Sequence, residues 1–267
     1  MEKFKKFLKT FFIIMSFLLV NIVIDVFTGA SIPSIIAQVK DGDFLKASGY
    51  VIYGVLCGQL VKLAILYFYI KKRDKTFRSK YNRRYISDAK IKDPLTLVGI
   101  GIGTIGFGQL LTNLIIKAFA GTEILKSSMD ILQNVFNAKG LVDGIAILIV
   151  AVIGAPLVEE LLFRGVLFEE IRKECSIKTT IFLTALMFGY YHFNIIQTPN
   201  TFFMGLVLAY VYYKTKSIKA SIIVHATNNI LAMIPFLDQG LSPVGICLYT
   251  AFLIIGIYSL ITLRRKA

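Results

Sequence analysis

Cysteine, histidine and acidic residues are all scarce in this chain. Its 267 residues include three cysteines and two histidines, and 16 acidic residues stand against 30 basic ones. Cys57, Cys175 and Cys247 lie far apart with no C-x-x-C pair, which argues against a disulfide framework and a thiolate metal site. No H-E-x-x-H occurs, so the two-histidine zinc signature of a single helix is missing as well. There is also no Pro/Ser-rich linker, low-complexity tract or internal repeat, which leaves one domain over 1–267 as the simplest organisation.

Apolar residues are what the chain has in excess. They make up 56% of it, with a mean hydropathy of +0.69, too much for one soluble core. They fall in runs at about 11–36, 48–70, 95–119, 141–168, 179–196, 200–213, 218–236 and 243–263. A helix needs roughly 20 such residues to cross about 30 Å of hydrocarbon, where only helices and closed barrels satisfy their backbone. The pattern predicts an all-α, polytopic transmembrane bundle of eight spans, the sixth of them short. Three regions follow: N-terminal spans in 1–135, a core in 140–235, and a last span with a basic tail in 243–267.

Lys and Arg collect in loops that stay in the cytoplasm. With the N-terminus inside, so are Lys3 to Lys9, the loops 71–93, 164–178 and 214–219, and the tail with Arg264, Arg265 and Lys266. Only Lys40, Lys46, Lys126 and Lys139 fall outside, so both termini are predicted to be cytoplasmic. The net charge of +14 is accounted for by this asymmetry, and because the basic residues are split among five segments no nucleic-acid partner is expected. In loop 71–93, Phe77, Tyr81 and Tyr85 recur every four residues among Arg and Lys, which suits a helix lying on anionic lipid. Residues 1–30 share the basic start and apolar stretch of a signal peptide, but the run outlasts a usual one and reads as an uncleaved first span.

Gly101, Gly103 and Gly106 match G-x-G-x-x-G. They lie inside an apolar span rather than after a strand, so close helix packing through small residues is the expected role.

Ionisable groups deep in an apolar run cost roughly 2.5–3.5 kcal/mol each and usually serve a function. The fourth span holds Glu159, Glu160 and Arg164. Glu160 and Arg164 stand at i, i+4 with the acid first, the better order for an ion pair. Glu159 points about 100° away and has no local partner, so it is available as a proton acceptor. Pro156, one turn earlier, removes a backbone N–H and is expected to bend the helix there. Both histidines lie in later spans, His192 four residues after Phe188 and His225 four before Asn229. At 1.5 Å per residue from the inside loops, His225 is about 10 Å deep, Glu159 about 15 Å and His192 about 20 Å. A carboxylate, two imidazoles and a carboxamide are the inventory for activating water and binding an oxyanion. Lys62 and Lys117 are the main other charges within or at the edge of spans.

In their order, Glu159-Glu160-x-x-x-Arg164, Phe188-x-x-x-His192 and His225-x-x-x-Asn229 resemble the three motifs of the CPBP (ABI) family, intramembrane proteases that include type II CAAX prenyl endopeptidases and bacteriocin-processing enzymes. The match covers roughly 140–235. The resemblance implies that Glu159 and His192 activate water, that His225 and Asn229 stabilise the oxyanion, and that Glu160 and Arg164 hold their helix in place. It implies a peptide or membrane-protein substrate and a multi-pass location in a bacterial cell membrane. A metal-free reaction is favoured, because Asn229 is a poor zinc ligand and a good oxyanion donor. If zinc is used, Glu159, His192 and His225 would be its ligands. Two other readings stand beside the peptidase: a membrane immunity or regulatory protein that works without catalysis, and a transporter whose buried charges line a path.

Overall fold

The computed structural model describes residues 2–81, 93–136 and 138–266. Among the described residues it is all-helical, without strands. Helices α1 (Glu2–Asp41) and α2 (Val51–Tyr81) form an antiparallel pair joined by a 3-10 turn at Phe44–Tyr50, and α3 (Pro94–Ala118) follows. Next come α4 (Glu123–Phe136) and the long helix α5 (Leu141–Ile171). The chain closes with α6 (Ile177–Tyr191), α7 (Gln197–Thr215), α8 (Ile218–Ala232) and α9 (Pro243–Lys266).

Every predicted apolar run contains a helix, although the runs 179–196 and 218–236 outlast theirs, which end at Tyr191 and Ala232. Among the described residues five helices are long and apolar enough to cross a membrane, at Thr10–Asp41, Phe44–Lys75, Pro94–Ala118, Leu141–Ile171 and Pro243–Arg265. The three remaining segments fall short for physical reasons. Helices α6 and α8 have 15 residues each, about 22 Å at 1.5 Å per residue. Helix α7 opens on Gln197, Thr198, Asn200 and Thr201. All three bury polar side chains, among them Thr180, Thr184, Thr201, Ser221 and His225, which is the pattern of inner helices rather than of lipid-facing ones. Helix α4 lies in an interval where no apolar run is found. It buries Leu125 and Ser128 but leaves Ile124, Ile131 and Phe136 exposed. Helix α2 carries the backbone of Phe77 and Tyr81, whereas Tyr85 lies outside the described residues.

The glycines of α3 bring helices together, as expected. A Cβ on Gly103 would sit 2.4 Å from Gly256 Cα of α9, and one on Gly101 would sit 2.6 Å from Thr227 Cβ of α8. Backbone meets backbone at the α3–α9 crossing, so neither helix can give way without moving as a body. Gly103→Val is therefore expected to destabilise the folded protein by about 2 kcal/mol or more through overpacking, read as a lower melting temperature in detergent. An unchanged melting temperature would contradict this packing.

The main core lies where α5 meets α6, α7 and α8. Leu162, Phe163, Val166, Leu167, Phe188, Leu208, Val211 and Val224 are all fully buried there. This surround excludes water from the flanks of the charged residues of α5.

Candidate active site

Helix α5 carries the acids, and its backbone departs from a regular helix on both sides of them. It widens into π turns at Ile149–Gly154 and Leu161–Leu167, flanking Ala155–Glu160. Pro156 explains the first. The Ala155 N–H reaches back five residues to the Val150 carbonyl, and Pro156 has no N–H to donate. The Ala151 carbonyl is thereby left without a donor from its own helix. Asn229 of α8 supplies one, with Nδ2 2.8 Å from that oxygen, and Gln59 of α2 donates to the Val150 carbonyl at 3.1 Å. Single π turns of this kind are frequent at functional sites.

Glu160 points inward and is fully enclosed, as is Arg164. The i, i+4 ion pair is formed, with Arg164 Nη1 3.0 Å from Glu160 Oε1. Arg164 Nη2 also donates to the Gly205 carbonyl of α7 at 3.1 Å, and the guanidinium lies 4.6 Å from the Phe188 ring centroid. One further contact was not legible in the motifs: His225 Nδ1 lies 3.0 Å from the same Glu160 Oε1. With a carboxylate as partner, Nδ1 is the donor and Nε2 is left to face elsewhere.

That direction is toward Glu159. Glu159 Oε2 is 3.9 Å from His225 Nε2 and 4.0 Å from His192 Nε2. These are too long for direct hydrogen bonds, and Glu159 Oε2 has no hydrogen-bond partner among the described residues. His192, at the end of α6, has its Nδ1 2.9 Å from the Phe188 carbonyl, so its Nε2 is the free nitrogen as well. Phe188 is fully buried and fills the space beside both imidazoles, its ring centroid 5.2 Å from that of His192 and 5.9 Å from that of His225. Residues set at three different depths by simple counting thus converge, because α5 is displaced at its π turns and α6 is short.

Asn229 lies one turn beyond His225 on α8, where one of its Nδ2 hydrogens is engaged by Ala151 and its Oδ1 accepts from Asn228 Nδ2 at 3.2 Å. Its second Nδ2 hydrogen remains available for a ligand. A zinc ion bound at about 2.0–2.1 Å would set tetrahedral ligand atoms about 3.4 Å apart, closer than the separations around Glu159 Oε2. Among the described residues no group of three or more His, Cys, Asp and Glu side chains is arranged to hold a metal ion. The trio as it stands does not fit a preformed zinc site.

The N-terminal helices add groups to this neighbourhood that the motifs do not contain. Lys62 of α2 is buried and bonds to Asp25 of α1 and to the hydroxyl of Tyr191, the residue before His192. The signal for Lys62 is a charge inside an apolar run; its partner Asp25 lies in a run that reads as nearly uncharged.

A comparison with protein-family models matches residues 141–231 to the type II CAAX prenyl endopeptidase Rce1-like family. The match covers about a third of the chain. The Rce1-like segment begins at the first residue of α5 and ends within α8, so it holds Glu159, Glu160, Arg164, His192, His225 and Asn229 and leaves out Asp25, Gln59 and Lys62. This match supports a CPBP-type intramembrane protease in general terms. No curated protein and no solved structure matches the chain.

Proposed function

We propose that the chain is an intramembrane endopeptidase that hydrolyses a peptide segment reaching Glu159 from the cytoplasmic side or from lipid. The observation that carries this reading is the convergence of two free Nε2 atoms within 4.0 Å of one unpartnered carboxylate oxygen. In this reaction Glu159 takes a proton from the attacking water, and His192 Nε2 orients that water. The water oxygen adds to the scissile carbonyl carbon. His225 then donates from Nε2 to the oxyanion, with the Glu160 carboxylate compensating the positive charge of its ring and the free Nδ2 hydrogen of Asn229 as a second donor. As the C–N bond breaks, Glu159 returns its proton to the leaving amine. Glu160 and Arg164 hold α5 in register. Each step uses groups of this chain alone.

The same reading sets the three inner helices as spans, giving eight with both termini in the cytoplasm of a bacterial cell, and makes 1–267 a single membrane domain. CAAX-type processing, peptide or bacteriocin maturation and self-immunity are the roles this chemistry would serve.

Purified full-length protein in liposomes is expected to cleave one of a panel of substrates that includes a prenylated CAAX peptide and leader-bearing peptides. Cleavage should persist in a strong zinc chelator, as a metal-free reaction requires. Loss of activity in chelator with recovery on added zinc would overturn the metal-free mechanism, and an intact, folded protein that cleaves none of the panel would count against the peptidase.

A further inference from the structure

Two opposite charges of the N-terminal helices meet at the edge of the site. Lys62 retains 6% of its side-chain exposure within α2, and its Nζ lies 2.7 Å from Asp25 Oδ2 of α1 and 2.9 Å from the Tyr191 hydroxyl. The Tyr191 hydroxyl in turn donates to Asp25 Oδ2 at 3.1 Å, which closes a three-membered network. Charges inside apolar helices are costly to insert, and they persist where they serve a cavity or a partner; here Lys62 is buried while Asp25 stays exposed. The Tyr191 ring packs edge-on against His192, centroids 6.0 Å apart, and against Phe163 of α5 at 5.5 Å. One turn before Lys62 on the same face of α2, Gln59 donates to the Val150 carbonyl in the first π turn of α5. The Gln59 side chain lies directly against Gly154 of the same π turn, in space that a larger residue there would fill.

One face of α2 thereby grips both partners of the site, α5 through Gln59 and the end of α6 through Lys62 and Tyr191. Beyond Tyr191 the chain turns at once. His192 ends the helix, and Phe193 takes a left-handed φ of 44°, a conformation that a bulky residue holds only when its surroundings impose it. Through its hydroxyl, Tyr191 ties the end of α6 to α1 and α2 two residues before that turn.

We propose that Lys62, together with Asp25 and Tyr191, is a positioning residue for His192: it sets the distance between the His192 imidazole and Glu159, and so makes the Rce1-like segment depend on helices outside it. The kinetic consequence rests on the peptidase reading; the geometric one does not.

Two variants of the full chain test this, Lys62→Met and Tyr191→Phe, the second removing only a hydroxyl. The chain has two histidines, so histidine-labelled protein in micelles gives two sets of ring signals, assigned with His192→Gln. The His192 ring signals are expected to move in both variants while those of His225 stay, and Lys62→Arg should restore them. With any cleavable substrate, kcat should fall about tenfold at unchanged KM, the cost expected of a small misplacement of a reacting group. Unmoved His192 signals in both variants would overturn the proposal, as would equal movement of both histidines, which a merely structural role predicts. Should Lys62→Met fail to fold, Tyr191→Phe decides by the same signals. Wild-type protein without hydrolytic activity would sink the peptidase reading and leave the ring signals to decide this one.

Discussion

Glu159→Gln should lower peptide hydrolysis by about 10²–10⁴-fold, the range that a positioned general base contributes, without lowering the melting temperature. The substitution keeps the shape of the side chain, so it leaves no cavity. At Oε2 it removes no hydrogen bond, because that oxygen has no partner among the described residues. What is lost is the capacity to accept a proton from water between two imidazoles. Equal loss of kcat and kcat/KM is expected, since the interaction is made in the transition state. Retained activity would remove Glu159 from the reaction.

The opposite pattern is expected of its neighbour. Arg164→Met should destabilise the fold by about 3–5 kcal/mol, because it leaves the Glu160 carboxylate enclosed without its cation. Both side chains have no exposed surface, and the arginine also loses its bond to the Gly205 carbonyl and its stacking on Phe188. The double variant Glu160→Gln/Arg164→Met removes both charges and should unfold at a higher temperature than Arg164→Met alone, the sign of a coupled pair. Lysine at 164 should restore stability only in part, since an ammonium lacks the planar fork that reaches Glu160 and Gly205 together. Thermal unfolding in detergent reads all three; a single Arg164→Met variant as stable as the parent would show that the pair does not hold α5.

Most helices were legible in the sequence because their apolar runs are long and bounded by charge, whereas the fifth and sixth runs are parted only by Gln197, Thr198 and Pro199. The role of the α3 glycines was legible too, since a dinucleotide fingerprint has no place inside such a run. Helix α4 escaped because its apolar residues form one face rather than a run. At the site, Glu159, His192 and His225 stand out as rare ionisable groups in apolar surroundings, and the Glu160–Arg164 pair follows from helical spacing. The Glu160–His225 contact does not, because it joins residues 65 apart in the chain and no periodicity encodes a crossing between helices. For the same reason Lys62 is visible as a buried charge, whereas its partners Asp25 and Tyr191 are not. Pro156 announces a disturbance in α5, but that the freed Ala151 carbonyl is capped by Asn229 follows only from how α5 and α8 meet.

The ring signals of the two histidines also report on the convergence itself. Replacing Glu159 by glutamine in otherwise unaltered protein removes a carboxylate that lies within 4.0 Å of both Nε2 atoms. Both His192 and His225 ring signals should then shift together, with the fold intact by melting temperature. If neither moves, the acid and the imidazoles do not share one site, and the hydrolytic chemistry built on their meeting falls with it.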